Sequence, residues 1–294
     1  MNIGLVQVDG RVPNLALMKC AGYHLDQGDT VEWFNGMLFA NQYDEIYVSK
    51  IFEQSTMPPL PDHATIGGTG IDPTIALPAK IERHKPSYEL HPNWKCHIGF
   101  TMKGCRFNCS FCVVPRKEGR PKDNALIDEL LINPNGGNRL MLLDNDFFAG
   151  TAWRDHLERI IELKLKVCFA QGLNIRIITS EQAALLSRVD YRMTNFKDRM
   201  ITFAWDKIDD EQLILDGIDR CELNGIPPKQ MQFFVLIGYN TTPAEDYHRV
   251  MMLAARGALP FVMPYDRSNH YQRRFARWVN RRAIFKTVRW EEFK

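Results

Sequence analysis

Within Gly104-Cys-Arg-Phe-Asn-Cys-Ser-Phe-Cys112, three thiols fall at the spacing C-x3-C-x2-C. Thiolates are soft ligands for iron and zinc, and three of them this close supply three corners of a metal site. A [4Fe-4S] cluster has four irons, so Cys105, Cys109 and Cys112 would leave one iron open to a further ligand. An open iron in a redox cluster is a place where a small molecule binds and is reduced. A zinc site would need a fourth protein ligand. Cys96 and His97 are the nearest candidates in sequence, but a strand of about eight residues at ~3.3 Å each carries them over ~20 Å from the loop. The motif also offers a single C-x2-C knuckle, whereas zinc sites favour paired ones. Iron–sulfur ligation is the better reading of the residues.

The composition agrees with a metal site in a reducing compartment. Seven cysteines are present, three clustered and four (Cys20, Cys96, Cys168 and Cys221) scattered, which is no disulfide framework. At 294 residues, 45% hydrophobic and 24% charged, the chain is long enough for one large domain or two of ordinary size. No apolar run approaches the ~18 residues of a membrane span, so no membrane association is expected. Met1–Gly10 lacks a basic flank before its apolar stretch and reads as a buried strand, not a signal peptide; the expected location is the cytoplasm.

A ligand loop needs rigid elements around it, and the chain alternates strand and helix patterns. Ile3–Val8, Thr30–Phe34, Glu45–Ile51 and the stretch entering Gly67-Gly68 read as strands. Between the first two, Asn14 opens a helix with Leu15, Met18 and Leu25 on one stripe and Gly22 as its weak point. Residues 1–72 are therefore expected to form a small Rossmann-like or flavodoxin-like domain with a parallel sheet. Residues 73–94 carry Pro73, Pro78, Pro86 and Pro92 and read as a linker.

Residues 95–294 form the second series. Strands are predicted at Cys96–Thr101, Arg139–Leu143, Lys166–Ala170, Met200–Ala204, Met231–Ile237 and Pro260–Met263. Helices are predicted from the Asp123 cap to Leu131, and at Trp153–Leu165, Ala183–Leu186, Asp209–Leu223 and Pro243–Ala255. Thr179–Gln182 is a capping-box pattern. Polar or glycine residues end most strands, as in a partial parallel β/α barrel with its site on that face. Cys168 falls on the opposite side of its strand from Gln171 and is expected in the core.

Taken together, the cysteine spacing, Phe111 just before the last cysteine, and the position of the loop after the first strand of a six-unit α/β series resemble the radical S-adenosylmethionine superfamily. The resemblance implies a partial (β/α)6 barrel in which Cys105, Cys109 and Cys112 ligate three irons of a [4Fe-4S] cluster. It implies that the open iron binds S-adenosylmethionine, and that reductive cleavage yields a 5′-deoxyadenosyl radical that abstracts hydrogen from a substrate. Phe111 would then lie near the adenine. Asp144, Asn145 or Asp146 would face the methionine ammonium, and Gln171 and Asn174 the ribose or carboxylate. Asp206, Gly238 and Pro264 complete the strand ends that would surround the cofactor. The simpler alternatives are a capping role for Asp144 and Asp146, ordinary loop positions for Gln171 and Asn174, and first-turn helix positions for Glu245 and Asp246.

The N-terminal half resembles the cobalamin-binding domain of one subclass, with Ile66-Gly67-Gly68 similar to a common segment. Against cobalamin, the run Val8-Asp9-Gly10-Arg11-Val12-Pro13 lacks the histidine often found there, and His24 is expected as a solvated helix residue. Domains of the methylthiotransferase type carry three further cysteines here, and this one has Cys20 alone. Lys103, Arg106, Arg116, Lys117, Arg120 and Lys122 around the loop would suit an acidic reducing partner such as a flavodoxin or ferredoxin. The basic and aromatic stretch from His270 to Lys294 fits nucleic acid or a helix packed on the barrel, and packing is preferred. A non-catalytic iron–sulfur protein is the alternative class; the substrate is not legible.

Overall fold

The structure is a computed structural model describing residues 1–294, and the chain divides into two compact units. Unit 1 comprises Met1–Ile98, Cys112–Gly119 and Leu131–Gly137; unit 2 comprises Gly99–Phe111, Arg120–Leu130 and Asn138–Lys294. The fold is mixed α/β with several parallel sheets.

In unit 1, β1 (Asn2–Gln7), α1 (Leu15–Asp26), β2 (Thr30–Trp33), β3 (Glu45–Ser49) and β4 (Thr65–Gly67) form a parallel sheet in the order β2-β1-β3-β4. Ile3 and Leu5 of β1 meet Leu17, Cys20 and Ala21 of α1 in the core of one face. Burying each such aliphatic side chain contributes about 1.5–3 kcal/mol. Tyr43, Ile46 and Val48 form a second cluster. Helix α1 starts where the Asn14 side chain accepts from the Ala16 and Leu17 N–H groups.

Two predictions in α1 are corrected by packing. Gly22 is a requirement of the helix: a Cβ there would overlap the Lys85 carbonyl, so glycine lets the following segment approach closely. That segment contains α2 (Ala79–Glu82), a single turn that buries Ile81. His24 is buried, with Nδ1 2.7 Å from Asp29 Oδ2 and Nε2 3.1 Å from the Tyr47 hydroxyl. The stretch after β1 is also well ordered internally. Gln7 donates to the carbonyls of Asp9, Gly10 and Val12, and Asp9 accepts from the Ile51 and Phe52 N–H groups.

The chain then runs through β5 (His97–Gly99), β6 (Met102–Lys103), α3 (Val114–Lys117), β7 (Lys122–Asp123) and α4 (Ile127–Leu130). Strands β6 and β7 pair antiparallel. Asp123, expected as a helix cap, is instead in β7, and its carboxylate accepts from the Thr151 N–H and hydroxyl. Only the last turn of the expected helix forms, as α4.

Next come β8 (Arg139–Leu142), α5 (Trp153–Glu162), β9 (Lys166–Phe169), α6 (Ser180–Ser187), β10 (Asp190–Tyr191), β11 (Ile201–Ala204) and α7 (Glu211–Leu223). The chain ends with β12 (Met231–Ile237), α8 (Pro243–Ala255), β13 (Leu259–Pro264), α9 (His270–Asn280) and α10 (Arg282–Thr287). One sheet has the order β10-β9-β8-β5 and another β11-β12-β13. Strands β8, β9 and β10 pair parallel with one another, as do β11, β12 and β13. In its sheet β9 is flanked by β8 and β10, and past its end a single parallel bridge joins Leu173 to Phe203 of β11. The cause is local: β9 ends at Phe169, Gly172 turns the chain at φ +80°, and Asn174 caps a 3-10 turn.

Capping chemistry sets the helix starts. Thr179 and Gln182 form the expected capping box of α6, and Thr242 and Glu245 form another for α8, with Pro243 in its first turn. Cys168 is buried in the core as its alternation predicts. In α9, Phe275, Trp278 and Val279 are buried, so the preferred packing role of this segment holds for its apolar stripe.

Candidate functional site

The cysteine loop leaves β6 through Gly104, at φ +86°, and runs irregularly to Phe111. Cys105 and Cys109 belong to unit 2; Cys112 begins a segment that groups with unit 1. All three thiols are half-buried and free of disulfides. The other four cysteines are buried, and burial pushes the thiols of Cys20, Cys168 and Cys221 up to about 12. Accessibility therefore separates the three loop thiols from the four inert ones. The Phe107 N–H points at Cys105 Sγ at 3.5 Å, a contact of the kind that supports a thiolate.

No group of three or more His, Cys, Asp or Glu side chains is gathered so as to hold a metal ion as it stands. The donor set fits an iron–sulfur cluster in chemistry: three accessible thiols within eight residues on a loop outside regular structure. Three thiolates drawn together without a cation would repel.

The strand-end carboxylates fasten this loop from below. Asp144, at the end of β8, is buried and accepts from the Thr101 N–H at 2.8 Å, the Thr101 hydroxyl at 2.7 Å and the Met102 N–H at 3.0 Å. It anchors the turn that delivers β6 to the loop. Asp146, 3% exposed, takes Arg106 Nε at 2.7 Å, Arg106 Nη2 at 3.2 Å and the Arg106 N–H at 3.2 Å, with Cys105 Sγ 3.8 Å away. Both carboxylates are thus engaged inside the protein, and neither caps a helix through its side chain. Asn145 lies between them in the same turn.

Arg106 and Arg176 were not singled out by sequence as partners of the strand ends, and they organise the loop. The Arg176 guanidinium lies 4.6 Å from the Phe107 ring centroid and pairs with Asp210 at 2.7 Å. Asn174 caps the Ile175–Ile177 turn and accepts from Arg176, so its side chain is structural; Gln171 is exposed. Asp206 follows β11. Burial raises its carboxyl above the ordinary 3.8, although Arg176 and Arg249 pull the other way.

Phe111 meets Tyr239 edge-on at 5.3 Å, and the Tyr239 hydroxyl donates to Ser110 at 2.7 Å. Tyr239 in turn contacts Tyr265, next to Pro264 at the end of β13. Gly238 follows β12 at φ +74°, a conformation that favours glycine, and a Cβ there would meet the Gln272 amide. Beneath these, Arg249 and Asp246 of α8 form a fully buried ion pair at 2.8 Å, with Asp246 in the first turn of the helix as expected. Arg249 also donates to the Trp205 and Leu236 carbonyls, and Asp246 accepts from Thr241 and Tyr271. The pair ties the ends of β11 and β12 together. Pro243 at the helix start and the i,i+3 spacing were the available signals; burial of the pair depends on tertiary packing.

In unit 2 the loop, Asp146, Arg176, Phe111 and Tyr239 thus form one network of contacts at the ends of parallel strands. No known protein-family model and no curated protein matches this chain.

Proposed function

We propose that this chain is a radical S-adenosylmethionine enzyme holding a [4Fe-4S] cluster on Cys105, Cys109 and Cys112. The observation that carries the reading is the set of three half-buried thiols on one irregular loop, set against four other cysteines that are all buried. When bound, the cluster and S-adenosylmethionine supply reductive cleavage of the C5′–S bond. The protein's part is to place and shield them. Asp144 and Asp146 hold the entry of the loop, and the Arg176 guanidinium over Phe107 braces it from the side. Phe111, Tyr239 and Tyr265 form an aromatic wall suited to a flat base.

The two runs of parallel strands, with one parallel bridge from Leu173 past β9 to Phe203 of β11, support a partial barrel. The parallel order β2-β1-β3-β4 supports a Rossmann-like or flavodoxin-like N-terminal half. An acidic flavodoxin or ferredoxin is the proposed reductant, and the reading places the protein in the cytoplasm.

Anaerobic reconstitution with iron, sulfide and S-adenosylmethionine tests the proposal. Four irons per chain and 5′-deoxyadenosine or S-adenosylhomocysteine under strong reductant, with or without cobalamin, are expected. A cluster that turns over neither product sinks the enzyme reading and leaves an electron carrier. Retention of the full cluster by Cys109→Ala would contradict the ligand assignment.

A further inference from the structure

We infer that the outer face of α9 binds the phosphate backbone of a nucleic acid. The helix has two faces with separate tasks. Phe275, Trp278 and Val279 are buried against the fold, while His270, Arg273 and Arg277 are exposed at successive turns along the opposite side and Arg281 is exposed at the C-terminal cap. Arg274 sits between the faces, its guanidinium 4.2 Å from the Trp290 ring centroid. Packing and anion binding are therefore not competing roles for this segment.

None of these arginines forms an ion pair with a carboxylate, whereas Arg159, Arg176, Arg192, Arg249 and Arg256 elsewhere in the unit all do. Asp266 lies near Arg273, but one of its oxygens already accepts from the Ser268 N–H and hydroxyl. Glu291 and Glu292 are the acidic residues of the following segment. At the N-terminal part of the stripe, His270, Arg273, Arg274, Arg277 and Lys294 line a cavity of about 370 Å³. That volume accommodates a phosphate with its sugar.

The spacing suits a polymer. From His270 to Arg281 the stripe runs ~16 Å along the helix at 1.5 Å per residue. A nucleic-acid strand presents a phosphate about every 3.4 Å of axis in a duplex, so about five phosphates lie alongside it. A lipid surface is disfavoured on the same evidence. A membrane-lying helix must offer its apolar face to the bilayer, and here that face is buried in the protein.

The test uses the full chain and fluorescein-labelled 20-nucleotide RNA and DNA, single-stranded and duplex, by anisotropy across a salt series. Wild type should bind with an affinity that falls steeply with salt. Replacing Arg273, Arg277 and Arg281 together by glutamate should weaken binding at least about tenfold at low salt and lower the log–log salt slope by about 2–3. The triple Arg→Gln variant, which adds no new charge, should show the same direction, and the triple Arg→Lys variant should keep the wild-type slope. Equal binding by wild type and both charge-removing variants, each with an unchanged melting profile, would overturn the inference. So would binding to anionic phosphatidylserine vesicles with none to any oligonucleotide. These outcomes do not depend on cluster loading, so they are separable from the enzyme proposal.

Discussion

Replacing Arg249 by methionine tests whether the ends of β11 and β12 are held together by a charge that cannot reach water. Arg249 and Asp246 are both 0% exposed in their side chains, and Arg249 bonds two carbonyls besides the carboxylate. One nitrogen, Nε, has no partner, so the cation is desolvated without full compensation. Such a pair adds little relative to well-packed apolar residues, yet removing one member strands the other, at about 3–5 kcal/mol. Thr241 and Tyr271 still donate to Asp246 in the variant, which keeps the loss at the low end, about 3 kcal/mol. With a urea m-value of about 1–3 kcal/mol per molar, the midpoint of the unit 2 transition should fall by about 1–3 M. Circular dichroism and tryptophan fluorescence report that transition. The double variant Asp246→Leu with Arg249→Met should be more stable than Arg249→Met alone, because no charge is left inside. A loss below about 1 kcal/mol for the single variant, or a double variant less stable than it, would refute the reasoning.

Asp206→Asn should stabilise the protein at neutral pH. Burial raises the native carboxyl above 3.8, so unfolding is eased as pH climbs through the window opening at that value, and the gain from the amide should vanish below pH 3.8. Gly22→Ala should lower the melting temperature, although alanine favours an isolated helix by about 1 kcal/mol, because the new methyl meets the Lys85 carbonyl. A rise in melting temperature would show that Lys85 yields easily. Asp144→Ala removes three hydrogen bonds from the Thr101–Met102 turn, and limited proteolysis should then cut between residues 101 and 112 faster than in wild type.

Elements whose signals are local were legible in the sequence. The predicted bounds of β12 and α8 coincide with those observed, because a continuous apolar run and a Thr-Pro-x-Glu start carry their own boundaries. The failures come from partners far along the chain. Asp123 has the form of a helix cap, but its partner is Thr151, 28 residues away. His24 looks like a solvated helix residue until Tyr47, 23 residues on, closes over it. Asp144 reads as a turn residue until β5 and β8 bring Thr101 to it across 43 positions. The turn after β9 is intermediate. Gly172 and Asn174 were visible, but the choice of a turn over a further strand residue is made by the packing of the strands.

The same long-range fasteners bear on how the site could receive a cationic ligand. Of the carboxylates expected at the strand ends, Asp144 is engaged by the Thr101 turn. Two remain. Asp206 is pushed by burial toward its neutral form, which weakens it as a partner for an ammonium. Asp146 is paired with Arg106, whose side chain is about one-third exposed while the carboxylate is 3% exposed. A buried carboxylate must keep a counter-charge, so an ammonium can take Asp146 only as Arg106 leaves it for solvent. Arg106 is covalently next to Cys105, and the same carboxylate lies 3.8 Å from the Cys105 sulfur. Release of Arg106 would therefore change the surroundings of the first cysteine of the loop in the same movement. On the proposed reading, an ammonium at Asp146 would displace Arg106 from beside Cys105.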